Sequence, residues 1–579
     1  MPAIFILIIS ALIYIIAYKS YGVFLSRIVF HCHEKNNVPS HEFADGKDYV
    51  SSHKSIMFGH HFTSIAGTGP IVGPAIAIIW GWVPALCWIL LGSILIGAFH
   101  DFAVLILSVR NKGKSIAKLS QDYLGPQLKQ AFYLIIFIAL WIVIAIFGLI
   151  MALIFAQFPT AVLAILLEIP IAIAMGYCLM RKKGNLFILS CIAVCLLYVA
   201  VYISHHIPIV LPTIANIPST GIWTIILLGS AFITTLMPVS WLLQPRDFLN
   251  AWQLYIALGF ILIGILILSI KGNPLYLHAP ALNISANGAP PIWPFLFMTL
   301  ACGAISGFHS LICSGTTAKQ LNSEKDAQAV GYGAMLSEGF LAILMLIAVS
   351  AGLALGYQNQ AGELLQGLAA WETHYGSWQA SAGLGSKLSA VVIGCANFLK
   401  PLGFSQELAI TLMGVLIASF AGTTLDSATR VQRYIIHEIC QQSPLKNWIT
   451  PLKSCLIAIF TAAALAFSSG LNGKGALGLW PLFGAVNQLL AALALLIVTC
   501  YLIQKKRPYY LLSLIPCLFL SLLSIWASLH NQIQFLKASK HLLLSMNSLI
   551  LILSIIILCK GAQHIKIKRR QFRLAQMPR

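Results

Sequence analysis

The sequence predicts an all-α polytopic integral membrane protein. Of its 579 residues, 59% are hydrophobic and 9% are charged, and the mean hydropathy of +0.87 is far above that of a soluble globular domain. The apolar residues collect in runs of about 17 to 25, the length that a helix needs to cross a bilayer. We expect about fifteen such crossings, within a range of roughly 14 to 18.

The distribution of charge predicts how the chain is oriented in the membrane. The formal net charge of +20 comes from short segments between the apolar runs and not from one continuous basic face, which argues against nucleic-acid binding. Residues 204–220, 272–292 and 356–386 contain no Lys or Arg, so these loops are expected outside. The opposite side, with the C-terminal tail, is expected to face the cytoplasm. Its basic residues include Arg110, Lys182, Lys183, Arg430, Arg433, Lys505 and Arg507.

A glycine-proline cluster interrupts the apolar run over residues 62–79. It reads IAGTGPIVGP over residues 65–74. A broken helix survives at membrane depth only where protein, water or a solute satisfies the freed backbone groups. The N–H groups and the positive end of the resumed helix would face a substrate carboxylate, whereas the alternative is that small residues only allow tight helix packing. The candidate substrate-binding residues are Ala66, Gly67, Thr68, Gly69 and Pro70.

A second interruption is expected at MPVSWLLQP, residues 237–245, because its two prolines remove backbone donors. Pro238, Ser240 and Trp241 are therefore further candidates for substrate binding. Five crossings up to residue 205 and five after it would have opposite polarity, which predicts a 5+5 inverted-repeat core. The expected units are an N-terminal helix and connector, two repeats, and additional helices with a basic tail, over residues 1–58, 59–205, 206–425 and 426–579.

Ionisable residues inside apolar runs are costly, so they are candidates for a functional role. His100 and Asp101 lie near the inner end of their run, where His309 from another helix could reach them. Glu338 is a further buried carboxylate candidate. Histidine titrates in the physiological range, and a desolvated carboxylate can be raised toward it, as proton coupling requires. The alternative for each residue is a satisfied structural hydrogen bond.

Four charged residues are candidates for an inner gate. Arg246 and Asp247 follow the second proline-rich segment, while Asp426 and Arg430 are spaced to share one helix face. A helix-terminal ion pair without a role in transport is the alternative. Glu168, two residues before Pro170, is expected to bond to backbone groups that this proline loosens.

Sodium coupling is the rival to proton coupling. Hydroxyl and carbonyl oxygens suit a hard cation, and Ser306, Ser310 and Ser314 offer three hydroxyls at helical spacing. Serine in a membrane helix also commonly bonds to the carbonyl four residues before it. The residues alone leave both coupling ions open.

Ten sequence blocks are distinctive in composition and order. They read GHHF (59–62), IAGTGPIVGP (65–74), GAFHDF (97–102), LQPRDFLN (243–250), ACGAISGFHS (301–310), SGTT (314–317), VGYGAML (330–336), TTLDSATR (423–430), QRY (432–434) and WPLFGAVNQLL (480–490). With these blocks, roughly residues 21–501 resemble the carbon starvation protein A (CstA) family. The resemblance implies an inner-membrane uptake carrier of bacteria, grouped with the amino acid, polyamine and organocation superfamily, with a LeuT/APC-like core. Members of that family are tied to peptide or pyruvate import during nutrient shortage.

These observations predict a symporter that imports a small carboxylate or short peptide in the response to carbon starvation. The alternatives are a sodium-coupled carrier of the same substrates and a transporter-like nutrient sensor. An enzyme is not expected, because the sequence contains no His-Glu-x-x-His, Gly-x-Ser-x-Gly or phosphate-binding loop motif. No cofactor, catalytic residue, metal or nucleic-acid partner is expected.

Overall fold

The computed structural model describes residues 2–181, 184–272, 275–359, 361–380, 383–441 and 443–574. Over these residues the chain is a bundle of helices, and its one sheet is a small hairpin of Tyr357–Gln358 and Leu364–Leu365. The predicted all-α membrane class is confirmed. Lys182, Lys183 and residues 575–579, which the charge pattern assigns to the basic side, lie outside the described residues.

Thirteen helices in the described part of the chain are long and apolar enough to cross a membrane. In chain order, the apolar segments are α1 (Ala3–Val29), α2 (Lys54–Trp80), α3 (Trp82–Arg110), α4 (Pro126–Gln157), α5 (Pro159–Met180), α6 (Leu186–His206), α7 (Ser219–Leu236), α8 (Leu243–Ile270), α9 (Ile292–Thr299, Ala301–Ala304 and Gly307–Gly315), α10 (Glu324–Leu355), α11 (Leu384–Leu399), α12 (Gln406–Cys440), α13 (Pro451–Ala466), α14 (Lys474–Gln504), α15 (Pro508–Lys537) and α16 (His541–Ile567).

The thirteen long helices are all of these segments except α9, α11 and α13. Two of the fifteen expected crossings, at α9 and α13, consist of shorter helices, and α11 and α12 together were expected as one crossing. The single long run expected over residues 388–420 is two helices. Pro401 lies in the turn that follows α11, and Gly403 has a φ of +89°, a conformation that ends the helix and that glycine adopts without strain.

Burial separates the helices into an inner and an outer layer. In α2 and α14, every residue of the most apolar stretch is buried inside the protein, whereas in α1 and α6 only 33% of the corresponding residues are buried. Helices α3, α4, α10 and α12 are also mostly buried. A helix that is apolar on all sides and still buried belongs to the core of a large bundle. The buried polar residues described below lie mainly on the inner helices α2, α3, α10 and α12 and on the faces of α5, α8 and α9 that pack against them.

Helix α2 is broken where the sequence predicts. Its first part ends at Ala66, Gly67 adopts a φ of +33°, and the second part begins at Gly69 with Pro70 in the first turn. Helix α9 contains the second break, because Ile305 and Ser306 are extended between its second and third parts. The two breaks pack on each other, since a Cβ placed on Gly303 would lie 3.8 Å from the Cα atom of Pro70.

The expected second interruption at residues 237–245 is wrong in its position. Residues 237–242 connect two separate helices, α7 and α8, and Trp241 is 47% exposed. Pro238 and Ser240 lie in the same connection, where the Val239 N–H donates to the carbonyl of Lys47. Here the prolines stand between helices or in a first turn, where no helical N–H is needed, so they separate two crossings instead of breaking one.

Candidate functional site

A fully buried group of two histidines and two carboxylates, His100, Asp101, His309 and Glu338, joins three inner helices. Asp101 on α3 lies between two imidazoles: its carboxylate oxygens are each 2.8 Å from a Nδ1 atom, one of His100 and one of His309 on α9. The Nε2 atom of His309 is 3.4 Å from the Oε2 atom of Glu338 on α10. We call these four residues the histidine–carboxylate cluster. The structure therefore brings together all four residues that the sequence nominates for proton coupling.

The hydrogens of this cluster follow from its geometry. An ionised carboxylate only accepts, so both Nδ1 atoms beside Asp101 carry hydrogen, and the Nε2 atom of His309 faces Glu338. Among the described residues, neither Glu338 oxygen has a hydrogen-bond partner. Burying a bare carboxylate is costly. One proton shared by His309 and Glu338 lowers that cost, because on Glu338 it neutralises the carboxylate and on His309 it places a positive charge 3.4 Å from it.

A second buried group is centred on Arg246 at the start of α8. The Nη1 atom of Arg246 donates to the Oδ2 atom of Asp426 on α12 over 2.6 Å. Its other nitrogens lie 3.5 Å from Asp247 and 3.9 Å from Glu168 on α5. We call Glu168, Arg246, Asp247 and Asp426 the arginine cluster. Three carboxylates surround one permanent cation, so the cluster carries surplus negative charge unless it also holds a proton or a further cation.

The expected environment of Glu168 is wrong. Its carboxylate accepts hydrogen bonds from the Asn250 amide (3.0 Å) and the Ser419 hydroxyl (2.8 Å), which belong to other helices, and not from backbone near Pro170. Side chains on α8 and α12 reach it because α5 packs between them. Glu168 therefore ties three helices together.

Arg430 does not join the arginine cluster. It donates to the carbonyls of Thr234 and Met237 at the end of α7, and its Nη1 atom lies 3.1 Å from Asp48 in the segment before α2. Burial alone raises the pKa of Asp48, but the nearby charge of Arg430 and a hydrogen bond from Tyr434 outweigh it, so the pKa lies below its ordinary value. Arg430 thus fastens the polar segment over the basic-side end of the bundle.

His60 on α2 contacts the arginine cluster, and His61 contacts the helix that carries His309; sequence reasoning assigned neither role. The Nδ1 atom of His60 is 2.6 Å from Asp247 in the arginine cluster. His61 points the other way, with its Nδ1 atom 2.9 Å from the Thr317 hydroxyl and its Nε2 atom 4.0 Å from the Cys313 sulfur, one turn beyond His309. Consecutive histidines on a helix project about 100° apart, and this alone could have suggested two partners.

The break in α2 forms a close cradle of small residues. A Cβ on Gly67 would lie 2.7 Å from the Thr424 hydroxyl, and a Cβ on Gly69 would collide with the Cys302 side chain. Thr68 is fully buried, and its hydroxyl has no hydrogen-bond partner among the described residues. Ala66 is also fully buried. The arrangement leaves a polar donor and the start of a helix facing the break of α9.

The serine alternative for sodium is not assembled into one site. Ser310 and Ser314 donate to the carbonyls of Gly307 and Ser310, as serines in membrane helices commonly do. Ser306 instead donates to the side chain of Asn487 on α14. The three hydroxyls therefore lie along one helix with separate partners. Within the described residues, no group of three or more His, Cys, Asp or Glu side chains is arranged to hold a metal ion.

The family follows from comparison with known proteins. Residues 2–527 match the model of the family described as carbon starvation protein CstA. This chain belongs to the carbon starvation protein CstA family. The match covers every helix that carries the two clusters.

Relatives in this family have names that describe transport. The chain is 32% identical to the pyruvate/proton symporter BtsT of Escherichia coli (strain K12), over 91% of this chain and 81% of that protein. It is 34% identical to the peptide transporter CstA of Bacillus subtilis (strain 168), over 90% and 89% of the two chains. It is 31% identical to the peptide transporter CstA of Campylobacter jejuni, over 93% and 81%.

Solved structures align with most of the chain at low scores. MhsT in complex with L-phenylalanine aligns over 88% of this chain and 98% of that chain, with a TM-score of 0.48 and 11% identity. A mutant of the Eremococcus coleocola manganese transporter aligns over 91% and 99%, with a TM-score of 0.47 and 14% identity. Such likeness supports no assignment of substrate, and the 5+5 repeat and its boundaries stay predictions.

Proposed function

We propose that this protein imports a small nutrient by proton symport across a bacterial inner membrane during carbon starvation. The nutrient is either a short peptide or a pyruvate-like carboxylate. The relatives of this protein support both substrate classes, because they are named as peptide transporters and as a pyruvate/proton symporter. The single observation that carries proton coupling is the His309–Glu338 pair, since among the described residues Glu338 forms no ion pair with a Lys or Arg.

Proton coupling would use the histidine–carboxylate cluster as the carrier of charge. When the pair holds its proton, Asp101 and His309 stay bonded and Glu338 is neutral or paired. When the proton leaves, an uncompensated carboxylate remains in a fully buried position, which destabilises that packing. Protonation would therefore favour one arrangement of α3, α9 and α10 over another, which is what coupling requires.

The substrate carboxylate would bind at the broken part of α2. In the first turn after Gly67, only the N–H groups of Thr68 and Gly69 are left for a substrate, because Pro70 has none and those of Ile71 and Val72 donate to the Thr68 carbonyl. The Thr68 hydroxyl is an additional donor.

Helix α10, which carries Glu338, also packs against the break of α9. The contact is at Ala342, which lies 2.8 Å from the position that a Cβ on Gly303 would take. The coupling carboxylate and the cradle would thus share one wall of packed helix, which links substrate and proton.

The arginine cluster would close the basic side of the pathway. Arg246 and Asp426 bring α8 and α12 together, while Arg430 holds the segment before α2 against the end of α7. Opening toward that side would require these charged contacts to separate, and the positive-inside pattern supports the cytoplasm, with the C-terminus, as the side reached. This is the gate in an alternating-access cycle.

Transport by purified protein in proteoliposomes tests the proposal. Labelled pyruvate and a labelled dipeptide are supplied outside, first with an inward pH gradient and then with an inward sodium gradient. We expect accumulation of at least one substrate with the pH gradient alone. Accumulation with sodium alone would overturn proton coupling, and binding without any accumulation would identify a sensor. Asp101→Asn should abolish gradient-driven accumulation and keep exchange. The two carboxylate oxygens of Asp101 face the Nδ1 atoms of His100 and His309, and an asparagine has an oxygen for only one of them.

The binding site is tested separately with Gly69→Leu. A side chain here collides with Cys302, so the break cannot accept substrate, and we expect substrate binding to disappear while the protein still inserts and purifies. Gly229→Leu is the matched control, because Gly229 is on an exposed part of α7 and no atom lies within 4 Å of the position that a Cβ would take there. Normal uptake by Gly69→Leu would contradict the assignment of the site.

A further inference from the structure

A polar cavity of about 650 Å³ lies at the basic-side ends of α3, α10 and α14. Arg110 ends α3, Glu324 begins α10, and Tyr501 is near the end of α14. The loop that follows α1 closes another wall with Lys35 and Asn37. The volume is that of an ordinary small-molecule site, which is commonly between about 300 and 1,000 Å³. The cavity is separate from both buried clusters.

The charge of the cavity is strongly positive. Lys35, Arg110, Lys505 and Arg507 line it, and of the lining residues in the described part of the chain only Glu324 is acidic. The two oxygens of Glu324 are already occupied, since they accept from the Arg110 Nε atom and from the His33 N–H and Asn36 amide. Glu324 therefore connects the walls of the cavity, while Lys35, Lys505 and Arg507 line its open space.

The positive charges around the cavity also affect the pKa of the neighbouring His31. Partial desolvation together with the charges of Arg507, His33 and Arg110 lowers the pKa of His31 from its ordinary value. His31 adopts a φ of +48°, where the loop turns toward the cavity. Basic residues on this side are expected for orientation alone, but orientation needs no concave arrangement built from three helices and a folded loop.

The walls of the cavity belong to helices that carry the proton-coupling residues. Arg110 is the last residue of the helix that contains Asp101, and Glu324 is the first residue of the helix that contains Glu338. The Arg110 guanidinium also donates to the Tyr501 hydroxyl over 3.0 Å and to the Phe30 carbonyl over 2.7 Å. A ligand that draws Lys35, Lys505 and Arg507 together would hold the loop after α1 against the end of α14. The contacts of Asn36 and Arg110 with Glu324 would pass this restraint to α10 and α3.

We propose that this cavity is a regulatory site for a small polyanion recognised by its phosphate groups, and that occupancy changes the rate of transport. Three cations beyond the Arg110–Glu324 pair match an anion of two or more charges, and lysine and arginine are the side chains that bind phosphate. The phosphate can come from a soluble metabolite or from the headgroup of an anionic lipid that enters at the bilayer edge. Regulation at this site would be exerted from the basic side of the membrane.

Calorimetric titration of the purified full-length protein with inorganic pyrophosphate tests the site. We expect saturable binding, weakened at least about tenfold in Lys505→Gln/Arg507→Gln, which corresponds to about 1.4 kcal/mol. Lys506→Gln is the control, because Lys506 lies between the two residues without lining the cavity. Lys35→Gln provides a second test from a different wall if the double variant does not fold. Absent binding, unchanged binding in both lining variants, or an equal loss in Lys506→Gln would overturn the proposal.

Transport assays distinguish the two sources of phosphate. Proteoliposomes of phosphatidylcholine alone and of phosphatidylcholine with phosphatidylglycerol are compared, each with and without pyrophosphate on the basic side. A soluble ligand predicts that pyrophosphate changes the initial rate in both membranes, whereas a lipid ligand predicts that phosphatidylglycerol changes it and pyrophosphate competes. Either effect should be reduced in Lys505→Gln/Arg507→Gln. No change of rate in any combination would overturn regulation, even if uptake itself is proton-coupled.

Discussion

The two buried charged clusters differ in what neutralises their carboxylates. In the histidine–carboxylate cluster, the ion-pair partners that Asp101 and Glu338 have among the described residues are imidazoles, and an imidazole changes its charge near neutral pH. In the arginine cluster, Arg246 remains charged at every accessible pH. The first cluster can therefore respond to protons, whereas the second holds helices together through a fixed charge.

This difference separates two tasks that an importer must perform. A group that senses protons needs a charge that can disappear, while a gate needs contacts that hold until the helices move. His60 adds an imidazole to the arginine cluster, because its Nδ1 atom lies 2.6 Å from Asp247. Substitutions in the two clusters should accordingly alter different observables.

The largest effect is expected from Glu338→Gln. The amide cannot exchange a proton with His309, so the link between the pH gradient and substrate is lost. For one proton per substrate, a gradient of one pH unit supports up to about tenfold accumulation, and this should fall to about onefold. Labelled uptake and counterflow exchange in proteoliposomes measure both quantities, and exchange should persist.

Glu372→Gln is the control for this substitution, because it makes the same chemical change at an exposed position of the short helix Gly367–Tyr375. It should accumulate substrate normally. If Glu338→Gln still concentrates substrate, the proton is carried elsewhere and the contrast between the clusters fails.

Arg246→Gln should mainly reduce stability. Removal of the cation leaves three buried carboxylates without a permanent partner, and breaking one buried ion pair typically costs roughly 3–5 kcal/mol. Thermal unfolding of the purified protein should show this loss, while the pH dependence of the remaining exchange should stay that of the parent protein. Arg181→Gln, at the exposed end of α5, should have little effect.

A double-mutant cycle sharpens this prediction. Arg246→Gln and Asp426→Asn together should be less destabilising than the sum of the two single changes, because each removes the partner that the other leaves unpaired. Strict additivity would show that the 2.6 Å contact contributes nothing to the gate.

Gly67→Ala should have an intermediate effect at the cradle between the clusters. The φ of +33° is unfavourable for alanine, and the new Cβ would lie 2.7 Å from the Thr424 oxygen and 2.9 Å from Phe147. We expect a loss of about 1–3 kcal/mol in unfolding free energy. Gly229→Ala, a helical position with open space, should be neutral or stabilising, and equal behaviour of the two variants would argue against a strained break.

The smallest effect is expected from Asp48→Asn, which removes the partner of Arg430. Because the folded-state pKa of Asp48 is lowered, its contribution to stability is present above the unfolded value of about 3.9 and is lost as pH falls through the folded value. The difference in melting temperature between parent and variant should therefore shrink as the pH falls below about 4. A constant difference would show that Asp48 acts through packing and not through charge.

Much of the candidate site could be anticipated from residue types alone. The break at Gly67 is local chemistry, since glycine and proline act on their own backbone, and its position was predicted correctly. Asp101 and Glu338 were also recognisable, because a carboxylate in an apolar run is costly wherever the run folds. The prediction of a second break at Pro238 failed because a proline inside a broken helix and a proline between two helices look the same in the sequence. Only the three-dimensional path distinguishes a broken crossing from a connection.

The sequence by itself determined the membrane class, the family, the first helix break and the types of residue that carry charge, because hydropathy and backbone preference are properties of short segments. The tertiary structure decided which distant residues meet: His309 with Asp101, Arg246 with Asp426, His60 with Asp247 and His61 with Thr317. Those pairings depend on how helices far apart in the chain pack side by side. That packing depends on the combined shape of all the helix faces, so it cannot be deduced from any single segment of the sequence.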